Sequence, residues 1–213
     1  MVQRLRIGFS RTGGIRFLSH LEMMRMWERA LRRARWRLLY SQGFHPHPKI
    51  SFAAPLAVGV ASECELLEVY LEEPRPVDEA GRELSGQMPQ GVEVRSVDEV
   101  PVDAPPLQRL LTASEYRVVC PSGISFDDVQ RGAARLLAAD SLPRERAKEG
   151  RVRSYDLRPM IRSLEAENGD GRPVVRMVLR ADAQGAGRPD EVLKEMGLDP
   201  ADCEITRTRL LLG

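Results

Sequence analysis

"RLRIGFSRTGGIRFLSHLEMMRMWERALRR", residues 4–33, changes its hydrophobic period midway. Leu5, Ile7 and Phe9 recur at every second position, which predicts a half-buried strand with those three side chains facing inward. Thr12-Gly13-Gly14 reads as a turn or bulge, after which Ile15 to Leu18 resumes the chain. Ser19-His20-Leu21-Glu22 then has the form of a capping box. The Ser19 hydroxyl is placed to accept a free helical N–H, and Glu22 to reach back to the Ser19 N–H. The helix predicted from it runs to about Leu38, with Met24, Trp27, Leu31 and Ala34 as its apolar stripe. Arg25, Arg29, Arg32 and Arg33 fall on another side, and no acid lies within reach toward the C-terminal end to neutralise them. They form the densest basic ridge in the chain.

Strand and helix signals keep alternating downstream of this opening. Lys49 to Ala53, Leu56 to Val60 and Glu65 to Leu71 predict strands, Asp78 to Met88 a helix, and Gly91 to Val97 a strand. The order β-α-β-β-α-β is that of the ferredoxin-like unit. Val100 to Pro106 is a proline-rich connector. The order then recurs: a strand at Glu115 to Val119, a helix capped by Ser125, and strands at Arg151 to Ile161 and Val174 to Leu179. A short helix from Pro189 to Met196 is stopped by Gly197, and Glu204 to Leu211 closes as a strand. The expected fold is α+β, with two tandem ferredoxin-like (βαββαβ) halves at residues 1–100 and 114–213, joined by a linker at 101–113.

The 213 residues are 42% apolar and 30% charged, an ordinary balance for a globular protein. No apolar run is long enough to span a membrane, and MVQRLRIGFS lacks the apolar core of a signal peptide, so the expected location is the cytoplasm. Cys64, Cys120 and Cys203 are scattered, with no Cys-x-x-Cys pair. Reduced thiols are expected, and neither a metal nor a cofactor. The net charge of +1 hides a strong asymmetry. Residues 1–50 carry eleven Lys/Arg against two acids, whereas residues 51–110 carry four against twelve. A basic face for an anionic partner is one reading of this, and a solvated surface the other.

Two of the three histidines lie in "YSQGFHPHPKISF", residues 40–52. His45 and His47 have the spacing of a metal pair, with His20 as a conceivable third ligand, but two imidazoles alone make no site. Metal-independent RNA cleavage would use His20, His47 and Tyr40 near a 2′-hydroxyl, with arginines on the developing phosphorane. The plain structural reading is a proline-stiffened lead into the next strand. Such a rigid loop also offers Gln42, His45, His47 and Lys49 as contacts. Further along, Arg151 and Arg153 alternate on one strand face. Arg176 with Arg180, and Arg207 with Arg209, would extend a phosphate track. No Gly-rich phosphate loop, nucleophile elbow or paired-carboxylate motif occurs, which disfavours a conventional hydrolase.

Ile15 to Glu22, Glu28 to Ala34, and Tyr40 to Phe52 resemble the bacterial radical-SAM-associated (radical-SAM-linked) protein family. Ser114 to Val118 and Tyr155 to Ile161 are similar to it too. The family pattern has an acid after Ser-His-Leu, met here by Glu22. It often shows Asn-Pro-His-Pro, so His45 departs from it and His47 is the stronger candidate. The resemblance implies an accessory module acting with a radical SAM enzyme encoded nearby, in RNA or ribosome-related modification. The radical generator itself would lie in the partner, since this chain lacks the three-cysteine cluster motif. Three functions stay open: a module presenting RNA (tRNA or rRNA) or an RNA-bound substrate, a metal-independent endoribonuclease, and a protein–protein adaptor.

Overall fold

β1 (Gln3–Arg11) follows the alternation of its sequence, with Leu5, Ile7 and Phe9 buried completely or nearly so. The computed structural model to which it belongs describes residues 2–148 and 151–213; the side chains of residues 146–148, 151 and 153 lie outside that description. Two compact units divide the chain, one up to Leu111 and one from Thr112. Both mix helices and antiparallel strands, which makes the chain α+β.

In the first unit, a 3-10 turn (Gly13–Phe17) replaces the resumed chain expected at Ile15 to Leu18. α1 (His20–Arg33) then starts on the capping box: the Ser19 hydroxyl accepts from the Glu22 N–H, and the Glu22 carboxylate accepts from the Ser19 N–H at 2.7 Å. Met23, Trp27, Ala30 and Leu31 form its buried side, and Trp27 meets Phe9 edge-on at 4.8 Å. The helix stops at Arg33 rather than near Leu38. Arg35 takes a left-handed φ of 57°. Its N–H then bonds the Arg32 carbonyl, and the Trp36 N–H bonds the Leu31 carbonyl, the double closure of a Schellman motif. The reversal drops Trp36 into the core, where its indole N–H reaches Glu83 at 2.9 Å.

β2 (Ile50–Phe52), β3 (Ala61–Leu71), α2 (Val77–Ser85) and β4 (Val92–Val100) complete this unit's pattern. The strands lie in the order β2-β3-β1-β4, each antiparallel to its neighbour, with Ile7 opposite Leu67 on one side and Val97 on the other. Leu56 to Val60 is not a strand. Pro55 precedes it, the Val60 N–H turns back to Ala57, and the Gly59 N–H is taken by the Arg16 carbonyl. On the sheet face away from Leu5 and Ile7, Glu68 accepts from Arg4 at 2.6 Å and from Arg6 at 2.9 Å. Arg4 also donates to the carbonyls of Pro101, Ala104 and Pro105. The proline-rich stretch is therefore pinned to the sheet at three carbonyls. The short helix α3 (Leu107–Leu110) continues this packing with Leu107 fully buried.

The second unit contains β5 (Leu111–Val119), α4 (Phe126–Ala138), β6 (Pro143–Lys148), β7 (Arg151–Asp156), β8 (Ile161–Asn168), β9 (Pro173–Asp182), β10 (Gly185–Ala186), α5 (Pro189–Met196) and β11 (Glu204–Leu212). Its main strands run β8-β9-β5-β11, and β10 folds back on the end of β9. The single strand expected over Arg151 to Ile161 is two elements. β7 pairs only with β6, in a separate ribbon. The Asp156 carboxylate closes the ribbon's base by accepting the N–H groups of Leu142 and Arg158, and a 3-10 turn carrying Pro159 breaks the chain before β8. β8, not β7, pairs with β9. Among the described residues, no helix is long and apolar enough to cross a membrane.

Candidate functional site

The helical repeat sets Arg25, Arg29 and Arg33 on one row of α1, about 6 Å apart along the axis at each step of four residues. Below that row lies a groove of about 490 Å³. Its helix side is Glu22, Arg25, Met26, Arg29 and Arg33, and its far side is Ile15 from the 3-10 turn, Leu18 just after it, and Pro89 from the loop before β4. Gly91 lets this far wall close. Its φ is 94°, and a Cβ there would stand 2.6 Å from the Thr12 carbonyl oxygen and 3.1 Å from Ile15. The Thr12 N–H bonds the Gly91 carbonyl at 2.8 Å, fixing the approach.

The charges in the groove are not equivalent. Arg33 is oriented by Gln87, which accepts from it through both the side-chain and the main-chain oxygen. Arg25 stands near Glu22, whose carboxyl is held below its ordinary range by the Ser19 hydroxyl and N–H, with Arg25 adding a smaller contribution. Arg29 and Arg32 are exposed and, among the described residues, have no hydrogen-bond or ion-pair partner. Arg32 is outside the groove lining, one row over on the helix. With Glu22 beside Arg25 only, the rest of the row, Arg29 and Arg33, has no acid in the lining, and such like charges are relieved by an anion. The rest of the lining, Ile15, Leu18 and Pro89 of the far wall with Met26 of α1, is apolar and gives the groove an aliphatic floor.

The remaining candidate residues stand elsewhere. His20 packs its ring on Phe52 at 5.3 Å, in a niche with Phe9, Arg11, Met23 and Glu65. Tyr40 bridges Pro48, so residues 41–47 form a projecting loop. The loop is tied at its neck by the Ser41 N–H to the His47 carbonyl and by the His47 N–H to the Ser41 hydroxyl. Gln42, His45 and His47 are exposed there, and Phe44 is fully exposed at the tip. Lys49 lies 5.8 Å above the Tyr70 ring. No described contact joins His20 to His47. The loop leads into β2 and the Pro89 wall into β4, at opposite edges of the sheet, so ridge and loop do not line one groove.

Arg151 and Arg153 sit in β7 by their backbone, opposite Lys148 and Arg146, and their side chains lie outside the described residues. The phosphate track suggested for the other arginines is already occupied from within. Arg176 pairs with Glu167 and Arg180 with Asp182; Arg209 stands 3.9 Å from Glu115, and Arg207 is buried. Cys64, Cys120 and Cys203 form no disulfide. Burial raises the Cys120 thiol, and it pushes Cys203 up to about 11 with help from neighbouring Cys120, Asp202 and Asp199; both are poor nucleophiles at neutral pH. Among the described residues, no three His, Cys, Asp or Glu side chains gather as a metal site would need.

The sequence signalled the arginine row through its spacing. It carried no sign of the second wall, because Pro89 and Gln87 lie more than fifty residues from the arginines they face.

The fold is similar to that seen in a crystal structure of a Cbf5–Nop10–Gar1 complex, with a TM-score of 0.48 and 14% identity. It is also similar to that in the archaeal box H/ACA sRNP Nop10–Cbf5 complex, with a TM-score of 0.46 and 16% identity. The alignments take in 95% and 97% of this chain, which spans about half the length of either neighbour, 48% in each case. No curated protein matches the sequence. Residues 4–189 do match a family described as an uncharacterised protein conserved in bacteria, and the chain accordingly belongs to that family, DUF2344.

Proposed function

We propose that the α1 groove binds RNA, or a substrate carried on RNA, and that the protein is a non-catalytic accessory module presenting it to a partner radical SAM enzyme in the cytoplasm. The observation that carries the RNA reading is the row Arg25, Arg29, Arg33 along a groove in which Arg29 has no acidic partner among the described residues. Arginine suits this task because its planar fork binds phosphate through two hydrogen bonds and stacks on bases. The partner enzyme rests on the resemblance of residues 15–52 to the radical-SAM-associated family. Both units are read as ferredoxin-like, the first running to Leu111 and the second from Thr112. The strand orders β2-β3-β1-β4 and β8-β9-β5-β11 support this, with the β6–β7 ribbon as an insertion into the second unit. Arg151 and Arg153, in that ribbon, are proposed as a second RNA contact.

Filter binding against tRNA and rRNA fragments over a salt series tests the RNA reading. Affinity is expected to fall steeply with salt, and Arg29→Ala to lower the log–log slope by about one and the affinity by about tenfold for every RNA. Negligible binding at low salt, or binding indifferent to Arg25→Ala and Arg29→Ala together, would refute it.

Phe44 favours a second reading, a protein–protein adaptor. A fully exposed aromatic at the tip of a proline-stiffened loop is an anchor of the kind that fills a partner's pocket. Co-purification with the radical SAM partner that survives nuclease and Arg29→Ala, but is lost in Phe44→Ala, would select it.

A further inference from the structure

The groove differs from a plain basic patch in having a floor. Ile15, Leu18, Met26 and Pro89 line the same groove as the arginine row and offer aliphatic surface alongside it. A ligand that met only the guanidinium groups would leave this floor in water and gain nothing from it. Duplex RNA is such a ligand, since the apolar faces of its bases are hidden by stacking and its phosphates lie on a convex surface. A strand with an unstacked base fills both parts, with its phosphates on the arginines and the face of a base on the aliphatic floor.

The lining also limits what can be read. Base identity is read by donors and acceptors that meet the base edge. The arginines aside, the only polar side chain in the lining is Glu22. Its Oε2 is taken by the Ser19 N–H at 2.7 Å and by the Ser19 hydroxyl at 2.6 Å, which leaves Oε1 as a single acceptor that the amino groups of adenine, cytosine and guanine satisfy alike. Its charge also closes the N-terminal end of the row to a further phosphate. The opposite end, at Arg33, carries no acid in the lining.

Resting on the RNA reading above, we infer that the α1 groove takes single-stranded RNA with one base unstacked onto the Ile15–Leu18–Met26–Pro89 floor, and that it does so without selecting which base. The row from Arg25 to Arg33 is about 12 Å long at 1.5 Å per residue, so the site spans two or three nucleotides.

Anisotropy titrations of the full chain decide the matter, using a labelled mixed-sequence 12-nucleotide RNA, its complement, and the duplex annealed from the two. Each strand is expected to bind within about threefold of the other, and the duplex about tenfold more weakly than either. Equal affinity for duplex and strands overturns the inference while leaving the RNA reading standing. A preference above tenfold for one strand overturns its indifference to base. No binding to any of the three at low salt refutes the RNA reading itself. A strand carrying 2-aminopurine gives a second readout that needs no variant. Its emission should change on binding wild-type protein; an unchanged emission on saturation places the bases outside the groove and overturns the inference.

Discussion

Arg35 holds a φ of 57°, the only positive value at a non-glycine position among the described residues. A side chain there costs roughly 1 kcal/mol in backbone strain. The burial of Trp36 and the double closure onto Leu31 and Arg32 compensate, so the turn forms without glycine. The Arg35 side chain is exposed, and the bond from Arg75 goes to its carbonyl, which any residue supplies. Arg35→Gly should therefore stabilise the protein by about 0.5–1 kcal/mol, read as a higher denaturant midpoint at unchanged m-value. A lower midpoint would mean that the arginine side chain itself contributes. At the other end of α1, Glu22 has its carboxyl lowered from 4.5 by bonds from Ser19. A depressed folded value stabilises above 4.5, and that contribution is lost as pH falls through the depressed value. The melting temperature should thus drop more steeply for wild type than for Glu22→Gln between about pH 5 and pH 3, because glutamine keeps the cap but has no charge to lose. Parallel curves would show that the carboxylate charge adds nothing to the cap. The two helix ends also differ in how far sequence reveals them. Ser19 and Glu22 announce the start by residue type, whereas nothing in the type of Arg35 announces a left-handed turn.

Strands β1 and β3 are joined by backbone pairing and also by a buried charge cluster, Arg4–Glu68–Arg6, in which Arg4 and Glu68 are almost fully enclosed. Burying charges is unfavourable unless each is matched, and here the three main-chain carbonyls take the Nη donors that Glu68 leaves free, while the Arg4 Nε stays buried without a partner among the described residues. Removing the carboxylate charge leaves Arg4 enclosed with carbonyl dipoles alone. Glu68→Gln should cost about 3 kcal/mol in urea unfolding, well above the cost of an exposed pair such as Arg37–Glu73. A loss under about 1 kcal/mol would mean that the carbonyls suffice. The alternation of Leu5, Ile7 and Phe9 revealed β1 but not this cluster, because alternation marks a polar face without saying what covers it. The same limit explains the ribbon. Arg151 to Asp156 has strand character, and only the bonds closing at Asp156 decide that it pairs backward onto β6 rather than onto β9. The groove was half legible for a related reason: its arginine wall is a local pattern, and its Pro89 wall a long-range one.

At the scale of the molecule, the strand–helix rhythm revealed twice in the sequence corresponds to the two compact units, and the place where the first one ends decides how it can fold alone. Composition favours a boundary at the prolines after Val100. The structure makes residues 101–110 part of the first unit's own packing. Pro101, Ala104 and Pro105 accept from Arg4, Leu107 is fully buried, and Gln108 donates to the Phe52 carbonyl at 2.6 Å. A fragment ending at Val100 loses all of these. Hydrogen bonds to a charged group contribute about 1.5–3 kcal/mol each, and burying a leucine about 2 kcal/mol. Their sum rivals the whole stability of a domain this size, roughly 5–15 kcal/mol. Residues 1–111 should accordingly unfold as one cooperative transition, whereas residues 1–100 should show a much lower midpoint or no native baseline. Circular dichroism melts of the two fragments compare them directly. Arg4→Met provides the internal check: if the lost carbonyls matter because Arg4 is stranded without them, this change should recover part of the stability in the shorter fragment while weakening the longer one. Equal midpoints for the two fragments would place the end of the first unit at Val100 and make the proline stretch a linker in the mechanical sense.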